Sequence, residues 1–312
     1  MEKNIKQYKI NVNRKKWDIK WQSSYEKSLL LFITGKCNLN CRNCFSISTR
    51  NAEEMSIDEI KKIIKANYEY DKIDLMGGEP LLHSSILDVI DYLKSVNKCV
   101  SVYTNGKKLD MITNLDYPIR ACISFHEIES GDPSRKPIKP IVDKIKDFIN
   151  SNNNNKIKLI LLLDQLNNDK TSEIIEFVDQ NMPFISKLTI GLMRYENDYW
   201  NDSYPNVLSF EEYAKTIQMI VNNYDGRLDL DIFMKGVLDF EGDPGDLPNR
   251  VNRFKCIFQD LTYCDCLYNA CDYTHPKLSP DFKLPECFKT CKHTGNKKCL
   301  ADKVRLVNKR KR

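Results

Sequence analysis

Apolar runs that alternate with amphipathic segments constrain the fold of this chain more than any other feature. Apolar residues at helical spacing, such as Ile60, Ile63 and Ile64, lie between such runs and follow the capping-box pattern Ser56-x-x-Glu59. Strands that alternate with helices predict an α/β fold with a parallel sheet. The alternation alone does not separate a barrel from an open sheet. The predicted strands are residues 29–34, 72–76, 99–103, 121–125, 157–163 and 188–192.

Three cysteines at C-x3-C-x2-C spacing, Cys37, Cys41 and Cys44, follow the first predicted strand. Soft thiolate ligands on a short loop select an iron–sulfur cluster or zinc. A tetrahedral zinc site needs a fourth ligand, and none lies close in the sequence, whereas an iron–sulfur cube with three cysteines keeps one iron open. The spacing therefore favours a cluster. Zinc completed by a distant ligand and disulfide bonds are the alternatives.

A second motif, Gly77-Gly78-Glu79-Pro80, follows the second predicted strand. The two motifs together resemble the signature of radical S-adenosylmethionine (SAM) enzymes. The resemblance covers residues 29–195 and implies a partial (β/α)6 TIM-like barrel. One departure is visible, because the family usually has an aromatic residue before the third cysteine and this chain has Asn43, with Phe45 after Cys44.

The resemblance implies a mechanism. The three cysteines hold a [4Fe-4S] cluster whose open iron chelates the amino and carboxylate groups of SAM. One electron cleaves SAM to methionine and a 5′-deoxyadenosyl radical, which abstracts a hydrogen atom from the substrate. By position, Gly77, Gly78 and Glu79 take the role of binding the methionine ammonium group.

Further polar residues follow the third, fourth and sixth predicted strands, where parallel α/β folds place their sites. Thr104 and Asn105 are either a simple turn or SAM contacts, and Ser124 matches the residue that binds the ribose hydroxyls in the family. We expect the side chain of His126 to bond its own loop rather than to face the cavity. Arg194 is either a carboxylate clamp or a surface residue. No catalytic residue is assigned.

Cys99 and Cys122 lie inside predicted strands and are expected to be small buried residues. Seven other cysteines follow in the C-terminal region, close to His275 and His293. In a reducing cytosol such a group requires a metal. It resembles the SPASM and twitch extensions of the family, which implies one or two auxiliary [4Fe-4S] clusters, with zinc as the alternative. The candidate ligands are Cys256, Cys264, Cys266, Cys271, Cys287, Cys291 and Cys299.

The 312 residues divide by composition into an N-terminal extension (1–28), a core barrel (29–235) and a cysteine-rich auxiliary-cluster domain (236–312). No run of 18 apolar residues is present and the first residues are polar, so we expect a cytoplasmic protein that does not enter a membrane. The net charge of +5 is mild. The basic residues near the C-terminus, such as Lys303 and Arg305, are expected to lie on a solvated end, with a phosphate-binding arm as the alternative.

A peptide or protein is the favoured substrate, because many relatives with a cysteine-rich extension modify peptides. The alternatives are a nucleotide or nucleic acid, which the charge supports weakly, and a sugar or another small molecule. An iron–sulfur protein that binds SAM without turnover is the non-enzymatic alternative. The expected electron donor is a reductase with flavodoxin, or a ferredoxin.

Overall fold

The computed structural model describes residues 6–22, 28–41, 44, 53–129, 132–152, 154–193, 205–234, 237–242, 254–257, 263–264 and 303–309. Its strands are β1 (Tyr8–Ile10), β2 (Trp17–Gln22), β3 (Ser28–Thr34), β4 (Lys72–Gly77), β5 (Cys99–Thr104), β6 (Ile119–Phe125), β7 (Lys156–Leu163), β8 (Lys187–Leu192), β9 (Asp229–Phe233), β10 (Leu238–Phe240), β11 (Phe254–Ile257), β12 (Tyr263–Cys264) and β13 (Lys303–Asn308). Its α-helices are α1 (Ile57–Ala66), α2 (Ile86–Ser95), α3 (Val142–Ser151), α4 (Thr171–Asn181) and α5 (Phe210–Asn223).

One sheet organises the molecule, with the strand order β12-β11-β3-β4-β5-β6-β7-β8-β9-β13-β2. Each neighbouring pair from β3 to β9 is parallel. The predicted α/β class with a mostly parallel sheet is therefore confirmed, and β9 is the seventh strand of the parallel run. A small separate sheet pairs β1 with β10.

The helices form where the sequence places both a cap and an apolar face. The Glu59 N–H donates to Ser56 Oγ at 3.3 Å and the Ser56 N–H donates to Glu59 Oε2 at 2.8 Å, which is the predicted capping box of α1. The same reciprocal pair, Ser209 and Glu212, begins α5. None of the helices in the described ranges is both long and apolar enough to cross a membrane.

The two faces of β6 carry different residues, because successive side chains of a strand point to opposite faces of the sheet. Ile119, Ala121, Ile123 and Phe125 belong to the hydrophobic core that the helices cover. The alternate residues Arg120, Cys122 and Ser124 lie on the other face. Cys122 is buried, as predicted.

Two sequence expectations, one about Cys99 and one about the C-terminal basic segment, are wrong. Cys99, at the start of β5, is exposed rather than buried. Residues 303–308 do not form a solvated end, because they are β13, an antiparallel strand between β9 and β2. Val304 is fully buried, and the Arg305 guanidinium bonds Asp231 from Nε to Oδ1 at 2.6 Å and from Nη2 to Oδ2 at 3.1 Å.

The predicted domain boundaries stay predictions. Four strands nevertheless join the barrel sheet from outside the predicted core range of 29–235, namely β2, β11, β12 and β13.

Candidate active site

Four consecutive strands bring the predicted motifs to one edge of the sheet. Strands β3, β4, β5 and β6 are neighbours in that order and all parallel, so the segments after their carboxyl ends lie side by side. The cysteine loop (residues 35–44) follows β3, and the Gly77–Glu79 segment closes β4. Thr104 and Asn105 end β5, and His126 follows β6.

The two adjacent glycines are required because they pack against the backbone at the end of β3 and at the start of the cysteine loop. A Cβ at Gly77 would lie 2.3 Å from the Thr34 carbonyl oxygen, and one at Gly78 would lie 2.4 Å from the Lys36 carbonyl oxygen. Gly77 also has a φ of +145°, which favours glycine. The Gly78 N–H donates to the Thr34 carbonyl and the Glu79 N–H to the Lys36 carbonyl, both at 2.8 Å. The two motifs therefore form one packed unit.

Glu79 joins this unit to the end of β5. Its Oε1 accepts from Thr104 Oγ1 at 2.6 Å and from the Leu81 N–H at 3.2 Å, and its Oε2 accepts from the Asn105 N–H at 2.7 Å. Burial raises the pKa of the Glu79 carboxyl, while these hydrogen bonds and the charge of Lys136 act in the opposite direction. The carboxylate is thus engaged by protein donors.

Asn105 carries the same network back to the cysteine loop. Its Nδ2 donates to Asn38 Oδ1 at 2.8 Å, so the residue after Cys37 is tied to the third strand of the site. The structure therefore brings Gly77, Gly78, Glu79 and Asn105 together with the cysteine loop. Whether they contact SAM remains a prediction.

The three cysteines fit a cluster by donor chemistry and by lying on one short loop after β3. Cys37, Cys41 and Cys44 are present as thiols; Cys41 is buried and the other two are half-buried. The Leu39 N–H donates to Cys37 Sγ at 3.4 Å, so the backbone of the loop helps to position this sulfur. Within the described ranges, no three His, Cys, Asp or Glu side chains already surround one metal position. Asn43 and Phe45 lie outside the described residues.

The residues after β6 form a second polar group. Lys136 Nζ donates to Ser124 Oγ at 2.9 Å. The side chain of His126 does not bond its own loop, contrary to the expectation: its backbone N–H donates to the Lys136 carbonyl, whereas neither ring nitrogen has a partner in the described part of the chain. Arg194 lies outside the described residues.

A buried ion pair holds this polar group in place, and sequence reasoning missed it. Arg135 Nη1 donates to Asp164 Oδ2, and Arg135 Nε lies 3.3 Å from Glu127 Oε2. Asp164 directly follows β7. A carboxylate directly after an apolar strand is the sequence feature that could have identified Asp164 as a site residue. The Arg135 position carried no comparable signal.

Only two of the auxiliary-cluster candidates fall within described strands. Cys256 in β11 and Cys264 in β12 are direct partners in an antiparallel pair, and β11 is parallel to β3. The other candidate residues lie outside the described residues; they are Cys266, Cys271, His275, Cys287, Cys291, His293 and Cys299.

The Glu79 network yields a prediction about stability. The carboxylate of Glu79 accepts from two backbone N–H groups and a hydroxyl. Glu79→Gln replaces one of its two acceptor oxygens with an NH2 group, so one donor loses its acceptor. We expect the free energy of unfolding to fall by about 1–3 kcal/mol, measured by urea denaturation. Glu176→Gln, on the exposed face of α4, is the control and should leave the urea midpoint unchanged. An equal midpoint for Glu79→Gln and the parent protein would contradict the network.

The chain is similar in sequence to known proteins. The family model described as the radical SAM superfamily matches residues 31–178. A probable GTP 3′,8-cyclase of Methanococcus maripaludis is 42% identical over 90 residues, which cover 27% of this chain and 30% of that protein. The radical SAM cyclopropyl synthase TigE of Paramaledivibacter caminithermalis is 28% identical over 244 residues, with 58% and 51% covered.

The fold also matches solved structures. Streptococcus suis SuiB bound to the precursor peptide SuiA has a TM-score of 0.59 at 13% identity, with 81% of this chain and 62% of SuiB covered. This likeness confirms the predicted partial-barrel fold. The matches span between about a third and two thirds of the relatives' own lengths.

Proposed function

We propose that this chain, whose residues 31–178 match the radical SAM superfamily model, cleaves SAM reductively and uses the resulting radical to modify a peptide or protein. When bound at Cys37, Cys41 and Cys44, a [4Fe-4S] cluster supplies the electron that generates the 5′-deoxyadenosyl radical from SAM. The protein holds the cluster ligands and the SAM-binding residues in fixed positions relative to one another. One observation carries the proposal: Gly78 packs on the backbone of the cysteine loop, and Glu79 joins both to the end of β5.

The roles of the surrounding residues follow from this packing. The backbone of Gly77 and Gly78 lies closest to the cysteine loop and is the proposed site for the methionine ammonium group. Glu79 and Asn105 hold the loops in register, and Ser124, which is half-buried at the end of β6, is proposed to bind the ribose. Fixed placement of the reacting groups is the main contribution that a protein makes to such chemistry.

A peptide substrate is supported by the fold. The structural likeness to SuiB extends over 81% of this chain, and that structure contains a precursor peptide. The likeness to the GTP 3′,8-cyclase of Methanococcus maripaludis, at 42% identity over 27% of the chain, supports a nucleotide as the second candidate.

One experiment distinguishes the two substrate classes. The reduced enzyme and SAM are incubated either with GTP or with the peptides that short reading frames beside its gene encode. We expect a peptide of altered mass together with faster 5′-deoxyadenosine formation. A GTP-derived product without any change in peptide mass would favour the nucleotide instead.

We also propose at least one auxiliary [4Fe-4S] cluster among the C-terminal cysteines, and a flavodoxin or ferredoxin as electron donor in the cytoplasm. The pairing of Cys256 with Cys264 brings two of the candidate ligands to neighbouring strands, and this supports an auxiliary site beside β3. Exchange of Cys37, Cys41 and Cys44 for alanine should therefore leave iron and sulfide bound, measured by metal analysis and absorbance. Zinc without iron in this triple variant would mean a zinc site.

A further inference from the structure

His126 is buried with both ring nitrogens unused. Its exposed fraction is 2%, and neither Nδ1 nor Nε2 has a hydrogen-bond partner within the described residues. Buried polar atoms in native proteins are almost always paired, and an unpaired one destabilises the fold. His83 gives the contrast within the same chain, because its Nε2 lies 2.8 Å from the Met55 carbonyl oxygen and its Nδ1 accepts from the Ser85 N–H.

The position of His126 connects it with the candidate active site. It follows β6 directly and continues the alternation of Cys122 and Ser124, on the face away from the helix-covered core. Lys136, whose carbonyl accepts from the His126 N–H, bonds Ser124 through its ammonium group. The charge of Lys136 also reaches Glu79, where it acts to lower the pKa of that carboxyl.

Other unused polar atoms belong to the residue after His126 and to the two residues before Lys136. Arg135 Nη2, Glu127 Oε1 and Ser134 Oγ are buried without a partner in the described ranges. The first is a donor, the second is an acceptor and the third can act as either. This group therefore offers both donors and acceptors to a ligand.

The charges of this group are balanced. Arg135 is paired with Asp164 and Glu127, and Lys136 supplies the second positive charge. Burial, and then the neighbouring charges of Lys136 and Arg135, hold the pKa of His126 well below its ordinary value. A neutral imidazole has one donor and one acceptor nitrogen, whereas a triphosphate requires unpaired positive charge.

We propose that His126, with Arg135 Nη2 and Glu127 Oε1, forms a substrate subsite that binds an uncharged amide group of a peptide. An amide supplies one acceptor and one donor, which matches the unused atoms of the subsite. The inference rests on the proposed peptide substrate and deepens it by naming the group that is recognised. It also explains why a destabilising side chain stands at this position, because binding sites retain polar groups at a cost in stability.

The test uses the full-length protein with its cluster and SAM, without reductant. The probe is N-acetylglycine N′-methylamide, an uncharged molecule with two secondary amides, and GTP is the charged comparator. Saturation-transfer NMR reports the binding of each. We expect a signal from the diamide that falls by about fivefold in His126→Phe, the loss expected for one neutral hydrogen bond, and is largely kept in His126→Gln.

Stability distinguishes a ligand-binding role from a structural one. His126→Phe should unfold at the same temperature as the parent protein or above it, because no hydrogen bond of the folded state is lost. His83→Phe, the matched control, should unfold at a lower temperature and keep the diamide signal.

Three results would overturn the proposal: no diamide signal from the parent protein, an equal diamide signal from His126→Phe, or a midpoint lowered as far as in His83→Phe. Binding of GTP that depends on His126 would do the same. Because no turnover is involved, a failure of SAM cleavage would be seen separately and would count against the proposed function alone.

Discussion

Gly78→Ala is expected to slow 5′-deoxyadenosine formation by about 100-fold, since a displacement of about 1 Å at a reacting centre has this effect. The added methyl group would lie 2.4 Å from the Lys36 carbonyl oxygen and 2.7 Å from the Gly35 carbonyl oxygen. Both atoms belong to the backbone, so the cysteine loop must move away from β4. We also expect a loss of about 1–3 kcal/mol in the free energy of unfolding. Initial rates after chemical reduction and urea titration measure the two effects.

Gly191→Ala is the matched control for this substitution. Its methyl group would lie 2.9 Å from Cδ2 of the Phe233 ring, which is a side-chain atom that can turn aside. We expect a smaller change in rate than for Gly78→Ala. If Gly78→Ala kept the parent rate, the packing of Gly78 on the cysteine loop would have no part in the reaction.

Arg135→Met is expected to destabilise the protein by about 3–5 kcal/mol, because it leaves the Asp164 carboxylate buried without its partner. The side chains of Arg135 and Asp164 are 6% and 0% exposed. Asp164 Oδ1 accepts from the Leu166 N–H, which is too little compensation for a full charge. Urea denaturation followed by circular dichroism measures the change.

The exposed pair Lys139 and Glu129 gives the control for this prediction. Its side chains are 57% and 65% exposed, so Lys139→Met should cost no more than about 1 kcal/mol. The double variant Arg135→Met with Asp164→Leu should be more stable than Arg135→Met alone. If the double variant were the less stable of the two, the loss would not come from the unpaired charge.

The parallel core of the fold could be predicted from sequence because its signals are local. The capping box of Ser56 and Glu59 and the apolar run of β7 each specify one element from neighbouring residues. Strand β13 was missed since its two buried apolar residues, Val304 and Leu306, lie in a segment rich in basic residues. Its partners β9 and β2 are also far away in the sequence.

The motifs of the candidate site could be predicted from the sequence, but the hydrogen bonds that join them could not. Cys37, Gly78 and Glu79 were found from spacing and position. The hydrogen bonds from Asn105 to Glu79 and Asn38 join three separate loops, so no local pattern predicts them. The unused ring of His126 is visible only once the surrounding residues are in place.

The central claim is that the cysteine loop, with Gly77, Gly78 and Glu79, forms a working site for reductive SAM cleavage. The direct measurement is the amount of 5′-deoxyadenosine and methionine released from SAM by the reconstituted, reduced protein. We predict both products in equal amounts, and neither product from Cys41→Ala. A fully loaded cluster that is reduced in the presence of SAM and releases no 5′-deoxyadenosine would contradict the account.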